Sequence, residues 1–554
     1  MYCDSRSKKD RAWTRLYRQL ENSPGKAPEI AALALYLLLL GVVSAFHEPW
    51  FDEAQAWQIA KCAPMREILF SIPHFEGHPP LWHLLLSLPA KLGAPYEWSI
   101  KSINILICSL AAGVLLFRAP FPRIVRIFVP FTYFLFYQYG AIARPYSILF
   151  LAFVLAAAAY PVKDIKPFRY IAALFLLCLS SAYGIVFAAG LAFVWLVQIC
   201  RERGIRGLFP QFLHDRRLWA LASLLLFALA NIILILPGRE AYALALQHVR
   251  NGFFLRLVYT LIILPADACF FDCFSTDARL RMVRFDPVIY IAGVLAGLLF
   301  WGVLLLLSRR KKTTLLLALP YSVYAAFCSV VYFSQHHIGS ASLFLLFWFW
   351  VDAGIREDAP VGSTANAGVS IKPRFAEFTH AVRVFCAVVI LSVSVFWSLT
   401  ASCHEIASTY GFGREAAAFL KANRLENRAI LCSWGGSEDP VTGQVSIDTN
   451  YSGGVTILPY FDHNILININ GGSDSLAYIT HRKADDKTNR ENFQLWKSRG
   501  APDVLLGLVN LDAVFHGAVS MRDYTAAITL QSGTIWKTNV FSGDYSIFLR
   551  QSGS

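Results

Sequence analysis

The chain has 554 residues, of which 56% are apolar and only 16% charged, a composition that excludes an ordinary soluble protein. Apolar stretches of about 17–25 residues recur through most of the chain, which is the length that the hydrocarbon core of a bilayer requires. The net charge of +13 comes from short basic clusters between these stretches, a pattern that orients membrane proteins and argues against nucleic-acid binding. The sequence therefore predicts a polytopic α-helical protein embedded in a lipid bilayer.

Residues 1–28 are polar and basic and are predicted to form a cytoplasmic N-terminal segment. They are too long and too polar for a cleavable signal peptide, so the first apolar stretch, roughly 29–46, is expected to remain as a membrane helix. The positive-inside rule places the start of this helix in the cytoplasm. It places the loop that follows, residues 47–97, on the external side.

Ten further membrane helices are indicated by the alternation of apolar stretches and basic clusters, for about eleven in all. They are predicted at roughly 98–117, 124–142, 145–161, 168–183, 185–200, 217–236, 287–308, 313–333, 339–352 and 383–400. The piece 78–93 is short and interrupted by prolines, and is predicted to lie at the outer interface. The piece 253–271 is expected to be interfacial or re-entrant, because a span there would put the basic cluster 309–312 on the wrong face.

The composition changes from about residue 402, where Gly, Asn and Asp become more frequent and the apolar runs shorten. Strand-like pieces are separated by turn signals, and a helical pattern covers 413–426. The strand-like pieces are RAILCSW (428–434), VTILPYF (455–461), NILINI (464–469), DVLLGLV (503–509) and YSIFLR (545–550). We therefore expect a membrane unit over 29–401 and an extracytoplasmic C-terminal α/β domain over 402–554.

Three motifs are predicted to meet at the external face. They are FDEAQAW (51–57) and FEGHPPLWH (75–83) in the loop 47–97, and ARPYS (143–147) at the end of the third helix. Adjacent carboxylates such as Asp52 and Glu53 are costly to place at a membrane surface unless they meet a proton, a metal or a cation. The plain alternative is a solvated loop with an amphipathic helix.

The chain resembles the integral-membrane glycosyltransferases of GT-C type that use polyprenyl-phosphate sugars. The resemblance rests on three features that come in the family's order: the acidic pair, the HPPL element and the Arg-x-Tyr sequence. This family includes the protein O-mannosyltransferases and the bacterial aminoarabinose transferases of lipid A. The specific resemblance covers roughly residues 29–160. It implies a GT-C-like fold in the bacterial inner membrane, a polyprenyl-phosphate-linked sugar donor, an extracytoplasmic acceptor and transfer with inversion.

The resemblance implies a role for each motif residue. Asp52 is the candidate base that takes the proton of the acceptor hydroxyl. Glu53 is its supporting partner or faces a metal ion, with a purely structural role at the helix start as the alternative. Arg144 is the candidate ligand of the leaving phosphate, because its planar fork matches phosphate geometry; interfacial snorkelling is the alternative. Tyr146, in the same motif, is counted with the substrate-binding residues.

Four more polar residues are candidates for substrate binding. Glu76 and His78 are expected near Asp52, where the three side chains could hold a divalent metal ion, although their spacing matches no closed metal site. His336 and His337 are predicted at an outward corner on the same side. There they would bind phosphate or acceptor hydroxyls, or simply cap a turn.

Two other functions remain open from the sequence. A transporter or flippase of a lipid-linked or glycan substrate would place ionisable residues at mid-membrane and often contains internal repeats, whereas here the charges gather at one face. An inactive scaffold is the third alternative. The sequence itself does not identify the sugar or the acceptor.

Overall fold

The computed structural model describes residues 21, 25–204, 214–238, 253–273, 287–331, 333–355, 373–432, 434–438, 445–449, 452–468, 491, 494–509, 511, 515 and 517–551. The rest of the N-terminal segment 1–28 and of the C-terminal region 402–554 lies outside these residues.

The membrane unit is a bundle of helices joined by short connections. Its helices are α1 Ala27–Phe46, α2 Phe51–Cys62, α3 Met65–Phe70, α4 Ile72–Glu76, α5 Leu81–Lys91, α6 Tyr96–Arg118, α7 Arg123–Phe128, α8 Tyr146–Ala159, α9 Pro167–Ser180, α10 Ala182–Arg203, α11 Arg216–Ile235, α12 Phe253–Val258, α13 Leu264–Cys269, α14 Pro287–Arg310, α15 Thr314–Val330, α16 Ile338–Gly354 and α17 Pro373–Ala407.

Six helices among the described residues are long and apolar enough to cross a membrane, namely α1, α6, α10, α11, α14 and α17. Three shorter apolar segments, Tyr146–Val162, Pro167–Ser180 and Thr314–Val330, coincide with further predicted spans. Helix α16 corresponds to another. A mostly helical, multi-pass membrane protein with a C-terminal α/β region is confirmed.

The third predicted span, 124–142, is not the continuous helix that was expected. Helix α7 ends at Phe128, a 3₁₀ turn covers Val129–Phe131, and a π-helical segment runs from Phe134 to Ala141. Pro130 explains the break, because proline lacks the N–H that a continuous helix requires and clashes with the preceding turn. The wider π-helical turns then carry the chain to the ARPYS motif.

Ion pairs join helix ends that the charge pattern assigns to one face. Glu29 of α1 accepts hydrogen bonds from Arg123 and Arg126 of α7, at 2.8 and 3.1 Å. Arg217 of α11 pairs with Glu202 of α10 at 2.8 Å. These contacts agree with the predicted alternation of the helices, because each brings together ends that the topology places on the same side.

The segment 253–273 enters the bundle and turns back, as one of the two sequence interpretations expected. The hydroxyl of Tyr290, near the start of α14, donates to Leu255 O, and Cys273 lies 3.8 Å from Ile289 O. The middle of the segment lies three turns further along α14, where Trp301 donates to Leu261 O. Both ends of the segment therefore lie beside the same end of α14.

The C-terminal region contains helix α18 Gly413–Ala422 and a mixed four-stranded sheet. Its elements are β1 Ile430–Cys432, β2 Trp434–Glu438, β3 Val445–Thr449, α19 Ser452–Ile457, β4 Val504–Leu506, β5 Tyr524–Trp536 and β6 Asn539–Arg550. The sheet order is β1-β4-β6-β5, in which β1 and β4 are parallel and the other pairs antiparallel. Strands β2 and β3 form a separate hairpin.

Two of the strand predictions were wrong in this region. The segment 455–461 is helical, first in α19 and then in a 3₁₀ turn at Leu458–Tyr460. Its β-branched residues favour a strand, but Gly454 before it packs tightly against Cys432 and Leu466, so tertiary contact overrides propensity. The segment 464–469 contributes one isolated bridge, Leu466 with Ile430.

The turn of the β5–β6 hairpin is inserted into the membrane unit. Lys537 is completely buried, and its ammonium donates to the Asp267 carboxylate and, at 2.7 Å, to the carbonyl oxygens of Asp267 and Phe271. It also lies 4.4 Å from the ring centroid of Trp397 on α17. The hairpin thus fastens the sheet to both the re-entrant segment and the last membrane helix.

The Lys537→Met substitution should strongly destabilise the protein. It keeps most of the side-chain volume but leaves the Asp267 carboxylate buried without its cation, a change that typically costs roughly 3–5 kcal/mol. We expect a clearly lower midpoint of thermal unfolding in detergent, partly restored by adding Asp267→Asn. Lys61→Met, at a pair with exposed Asp462, is the control and should change little. Equal effects at the two lysines would contradict the prediction.

Candidate functional site

The acidic pair lies at the start of α2, where Glu53 fixes the beginning of the helix. The Trp50 backbone N–H donates to Glu53 Oε2 at 3.1 Å, so the carboxylate caps the first turn. A glutamate at the third helical position commonly caps a helix in this way. Asp52 occupies the preceding position in the same turn, and its orientation is therefore tied to that of Glu53.

The Glu53 carboxylate is completely buried and joins two distant parts of the chain. Its Oε1 accepts a hydrogen bond from the Ala143 backbone N–H at 2.7 Å, and its Oε2 lies 2.9 Å from His47 Nε2. Ala143 directly precedes Arg144. One carboxylate thus fixes the relative positions of the two segments that carry Asp52 and Arg144.

His47 extends this buried network to the last membrane helix. Its Nδ1 lies 3.1 Å from Glu405 Oε1, and the Tyr137 hydroxyl donates to Glu405 Oε2 at 2.7 Å. His47 and Tyr137 have no exposed surface, and Glu405 is 2% exposed. Burial alone would lower the pKa of His47, but the Glu53 and Glu405 carboxylates raise it to about 10. At neutral pH the network therefore holds an imidazolium between two carboxylates.

Asp52 and Arg144 form a direct ion pair beside this network. The distance from Arg144 Nη2 to Asp52 Oδ2 is 2.6 Å. The Asp52 side chain is 30% exposed and that of Arg144 only 9%, so the carboxylate faces the open side of the pair. The guanidinium lies over the rings of Trp50 and Tyr146, at 5.6 and 5.2 Å from their centroids. A snorkelling arginine keeps its charged group in water, whereas the Arg144 guanidinium packs between two aromatic rings.

The end of the π-helical segment holds Arg144 in place. The Asn104 side-chain amide of α6 donates to the carbonyl oxygens of Tyr139 and Gly140 at 3.0 and 2.7 Å. These carbonyls lie where the π-helical segment ends, and buried backbone groups at a helix end need such partners. Asn104, a polar residue within a membrane helix, therefore stabilises the turn that precedes the ARPYS motif.

Both corner histidines lie against Tyr146, as the expected convergence requires. The Tyr146 ring centroid is 5.8 Å from that of His336 and 6.0 Å from that of His337. The Ser334 backbone N–H donates to His337 Nδ1 at 2.9 Å, so that nitrogen is an acceptor. The pKa of both imidazoles lies well below the usual value, mainly because they are buried and secondly because Arg144 is positively charged. Neutral imidazoles therefore line this side of the site.

Glu76 and His78 also lie near this site, since the charge of Arg144 acts on His78, and His78 in turn acts on both corner histidines. Gln55 of α2 donates to Glu76 Oε1 at 3.4 Å, which ties α4 to α2. Burial and the charge of Arg144 lower the pKa of His78 to about 4. Within the described ranges, no group of three His, Cys, Asp or Glu side chains is arranged so that it could hold a metal ion. Metal binding by Asp52, Glu76 and His78 stays a prediction.

Sequence reasoning missed three residues that organise the site: His47, Tyr137 and Glu405. His47 begins the acidic stretch, but nothing in its spacing indicates a contact with the last helix. Glu405 offered the clearer signal, since a carboxylate in the final turns of an apolar helix normally has a specific partner. Its partner is 358 positions away along the chain, a separation that local patterns cannot predict.

Comparisons with known proteins add little to this geometry. No protein-family model matches the chain, and no curated protein matches its sequence. Among solved structures, it aligns with the cryo-EM structure of the mycobacterial arabinofuranosyltransferase AftD at 12% identity and a TM-score of 0.37. The alignment covers 96% of this chain but only 40% of AftD. A likeness this weak carries no argument for a shared fold or function.

The charge of His47 predicts a pH-dependent stability. Because folding raises its pKa from 6.5 to about 10, its contribution is fully present below about pH 6.5 and is lost as the pH rises to about 10. His47→Gln has no charge to lose. The thermal midpoint of the wild type in detergent should therefore exceed that of His47→Gln most below pH 6.5, and the difference should shrink towards pH 10. A constant difference over this range would show that His47 is neutral.

Proposed function

We propose that the protein is an integral-membrane glycosyltransferase of GT-C type that transfers a sugar from a polyprenyl-phosphate carrier to an extracytoplasmic acceptor. The acceptor would be a lipid, a glycan or a protein. The proposal places the enzyme in the bacterial inner membrane, with the loop 47–97 and the C-terminal region outside. The observation that carries it is the Asp52–Arg144 pair, in which a partly exposed carboxylate lies 2.6 Å from a buried guanidinium.

Asp52 suits the role of base. Breaking the bond between the anomeric carbon and the phosphate requires an acceptor hydroxyl to attack that carbon and lose its proton. Asp52 is the more accessible of the two acidic residues, and a positioned carboxylate can take this proton. Glu53 is fully buried with both oxygens engaged by His47 and backbone N–H groups. We therefore assign Glu53 a positioning role and Asp52 the proton transfer.

Arg144 suits the role of phosphate ligand. A guanidinium fork binds phosphate oxygens with matched geometry, and its charge stabilises the phosphate monoester that leaves. Tyr146, His78, His336 and His337 surround Arg144 with aromatic and neutral imidazole groups. Because these imidazoles are uncharged, they can donate hydrogen bonds to the phosphate or to sugar hydroxyls without competing with Arg144 as cations.

The contact between base and phosphate ligand has a mechanistic consequence. In an inverting displacement, the attacking hydroxyl and the leaving phosphate lie on opposite faces of the anomeric carbon. Donor binding would therefore separate Asp52 from Arg144, with the phosphate replacing the carboxylate as the partner of the guanidinium. This exchange would release Asp52 for the acceptor hydroxyl only when the donor is in place.

The Asp52→Asn substitution should abolish transfer while the protein still folds and binds donor. The amide is nearly isosteric but cannot take the proton, and a positioned base typically contributes about 10²–10⁴-fold in rate. Turnover is measured with purified protein and polyprenyl-phosphate sugars. Asp462→Asn, at a fully exposed carboxylate, is the matched control. Glu53→Gln should lower the thermal midpoint more than Asp52→Asn does but reduce turnover less. Full activity of Asp52→Asn would refute the assignment.

The Arg144→Lys substitution separates phosphate binding from a merely structural cation. Lysine keeps the charge but loses the planar fork, so donor affinity or turnover should fall by roughly 10- to 150-fold, as the loss of a charge-assisted contact of about 1.5–3 kcal/mol implies. Arg118→Lys, at an exposed arginine at the end of α6, should have no effect. Wild-type turnover in both variants would refute the phosphate role of Arg144.

A further inference from the structure

A pocket lies at the junction of the membrane unit and the C-terminal region, and its lining includes neither Asp52 nor Arg144. Its volume is about 450 Å³, within the range of roughly 300–1,000 Å³ typical of small-molecule sites. The first turns of α6 form one wall, and Arg414 of α18 with the 3₁₀ turn Leu458–Tyr460, which follows α19, forms the other. The side chains that give it chemical character are Tyr96, Glu97, Trp98, Lys101, Arg414 and Tyr460.

The charges in this pocket compensate one another. Glu97 accepts hydrogen bonds from Lys101 at 2.6 Å, from Arg414 at 2.6 and 2.8 Å, and from the Tyr460 hydroxyl at 2.7 Å. The Arg414 backbone N–H donates to Glu48 at 2.6 Å. The lining holds two cations and one carboxylate, and Glu48 behind it provides the second carboxylate. Both cations are paired with Glu97, so neither is left to select an anion such as phosphate.

Three aromatic residues, together with Ala45, Pro95 and Pro459, complete the lining of the pocket. The ring of Trp98 is 71% exposed, whereas Tyr96 is only 7% exposed and meets Tyr460 edge-to-face at 5.5 Å. The Tyr96 hydroxyl has no hydrogen-bond partner among the residues that the structure describes. A buried tyrosine hydroxyl normally has such a partner, and leaving it without one costs stability. A ligand bound in the pocket would provide the hydrogen-bond partner that this hydroxyl lacks.

We infer that this pocket binds a neutral, hydroxyl-rich saccharide. The aliphatic faces of a sugar ring pack against aromatic side chains such as Trp98. Sugar hydroxyls both donate and accept hydrogen bonds, so they can pair with the Tyr96 hydroxyl and with the charge-balanced Glu97–Arg414 group. An anionic ligand would disrupt that balance, and a purely apolar one would leave the Tyr96 hydroxyl unsatisfied.

The position of the pocket suggests what the saccharide does. The ring of Trp57, on the same helix as Asp52, lies 5.5 Å from the ring of Tyr96, so the pocket is on the opposite side of α2 from the Asp52–Arg144 pair. A helix with its side chains is about 10–12 Å across. A glycan of a few sugar units could therefore occupy the pocket while its end reaches Asp52. The identification of this glycan as the acceptor rests on the proposed function; its binding does not.

The test uses the full chain in nanodiscs of phosphatidylcholine and an array of immobilised neutral oligosaccharides. The wild type should bind at least one of them, and Trp98→Ala and Tyr96→Phe should each weaken that binding by about two- to tenfold. Tyr96→Phe should not lower the thermal midpoint, because it removes only an unsatisfied hydroxyl. Trp219→Ala, at a half-exposed tryptophan near the start of α11, is the control and should bind as the wild type does.

The outcomes distinguish the pocket from the catalytic proposal. Asp52→Asn should retain glycan binding although it loses transfer. The saccharide proposal is overturned if the wild type binds no neutral glycan, if both pocket variants bind normally, or if a parallel set of nanodiscs with added phosphatidylglycerol shows that anionic lipid competes for the site. If glycans bind as expected but the wild type shows no transfer with any donor, the saccharide site is supported and the proposed glycosyltransferase function is refuted.

Discussion

The site depends on one buried carboxylate, that of Glu53. It accepts the N–H groups of Trp50 and Ala143 and contacts His47, so it joins the start of α2, the end of the first membrane helix and the turn before Arg144. A buried charge is tolerated only when it is paired and fully hydrogen-bonded, and this one is. The ion pair of Asp52 and Arg144 is a consequence, because Asp52 directly precedes Glu53 and Arg144 directly follows Ala143, whose N–H Glu53 accepts.

The same constraint makes the site dependent on the end of the membrane unit. Glu405 lies near the C-terminal end of α17 and provides the second carboxylate for His47. About two turns before Glu405, α17 is also held by a second buried ion pair, since Lys537 contacts Asp267 and lies against Trp397. Trp536, next to Lys537, packs edge-to-face against Tyr133, just before the π-helical segment that leads to Arg144. The C-terminal region is thus part of the framework that holds Arg144.

The sequence predicted the features that depend on local composition. Membrane helices follow from the length of apolar stretches, and the convergence of Asp52, Arg144, Tyr146 and the two corner histidines follows from assigning loops to one face by charge. The broken third helix was not predicted as such, although Pro130 is a local signal for it. The Glu405–His47 and Lys537–Asp267 contacts were missed because they join residues hundreds of positions apart. The roles of Glu76 and His78 in substrate binding stay predictions.

The proposed reaction breaks the bond between the sugar and the polyprenyl phosphate, so the products formed from the donor test it. Purified protein is incubated with a panel of synthetic polyprenyl-phosphate sugars and an envelope-glycan acceptor mixture, and free polyprenyl phosphate and the anomeric configuration of the product are quantified. A glycosyltransferase of the proposed kind releases one polyprenyl phosphate for each sugar transferred, with inverted configuration. Movement of the intact donor across a proteoliposome membrane, with no polyprenyl phosphate released from any member of the panel, would identify a transporter instead.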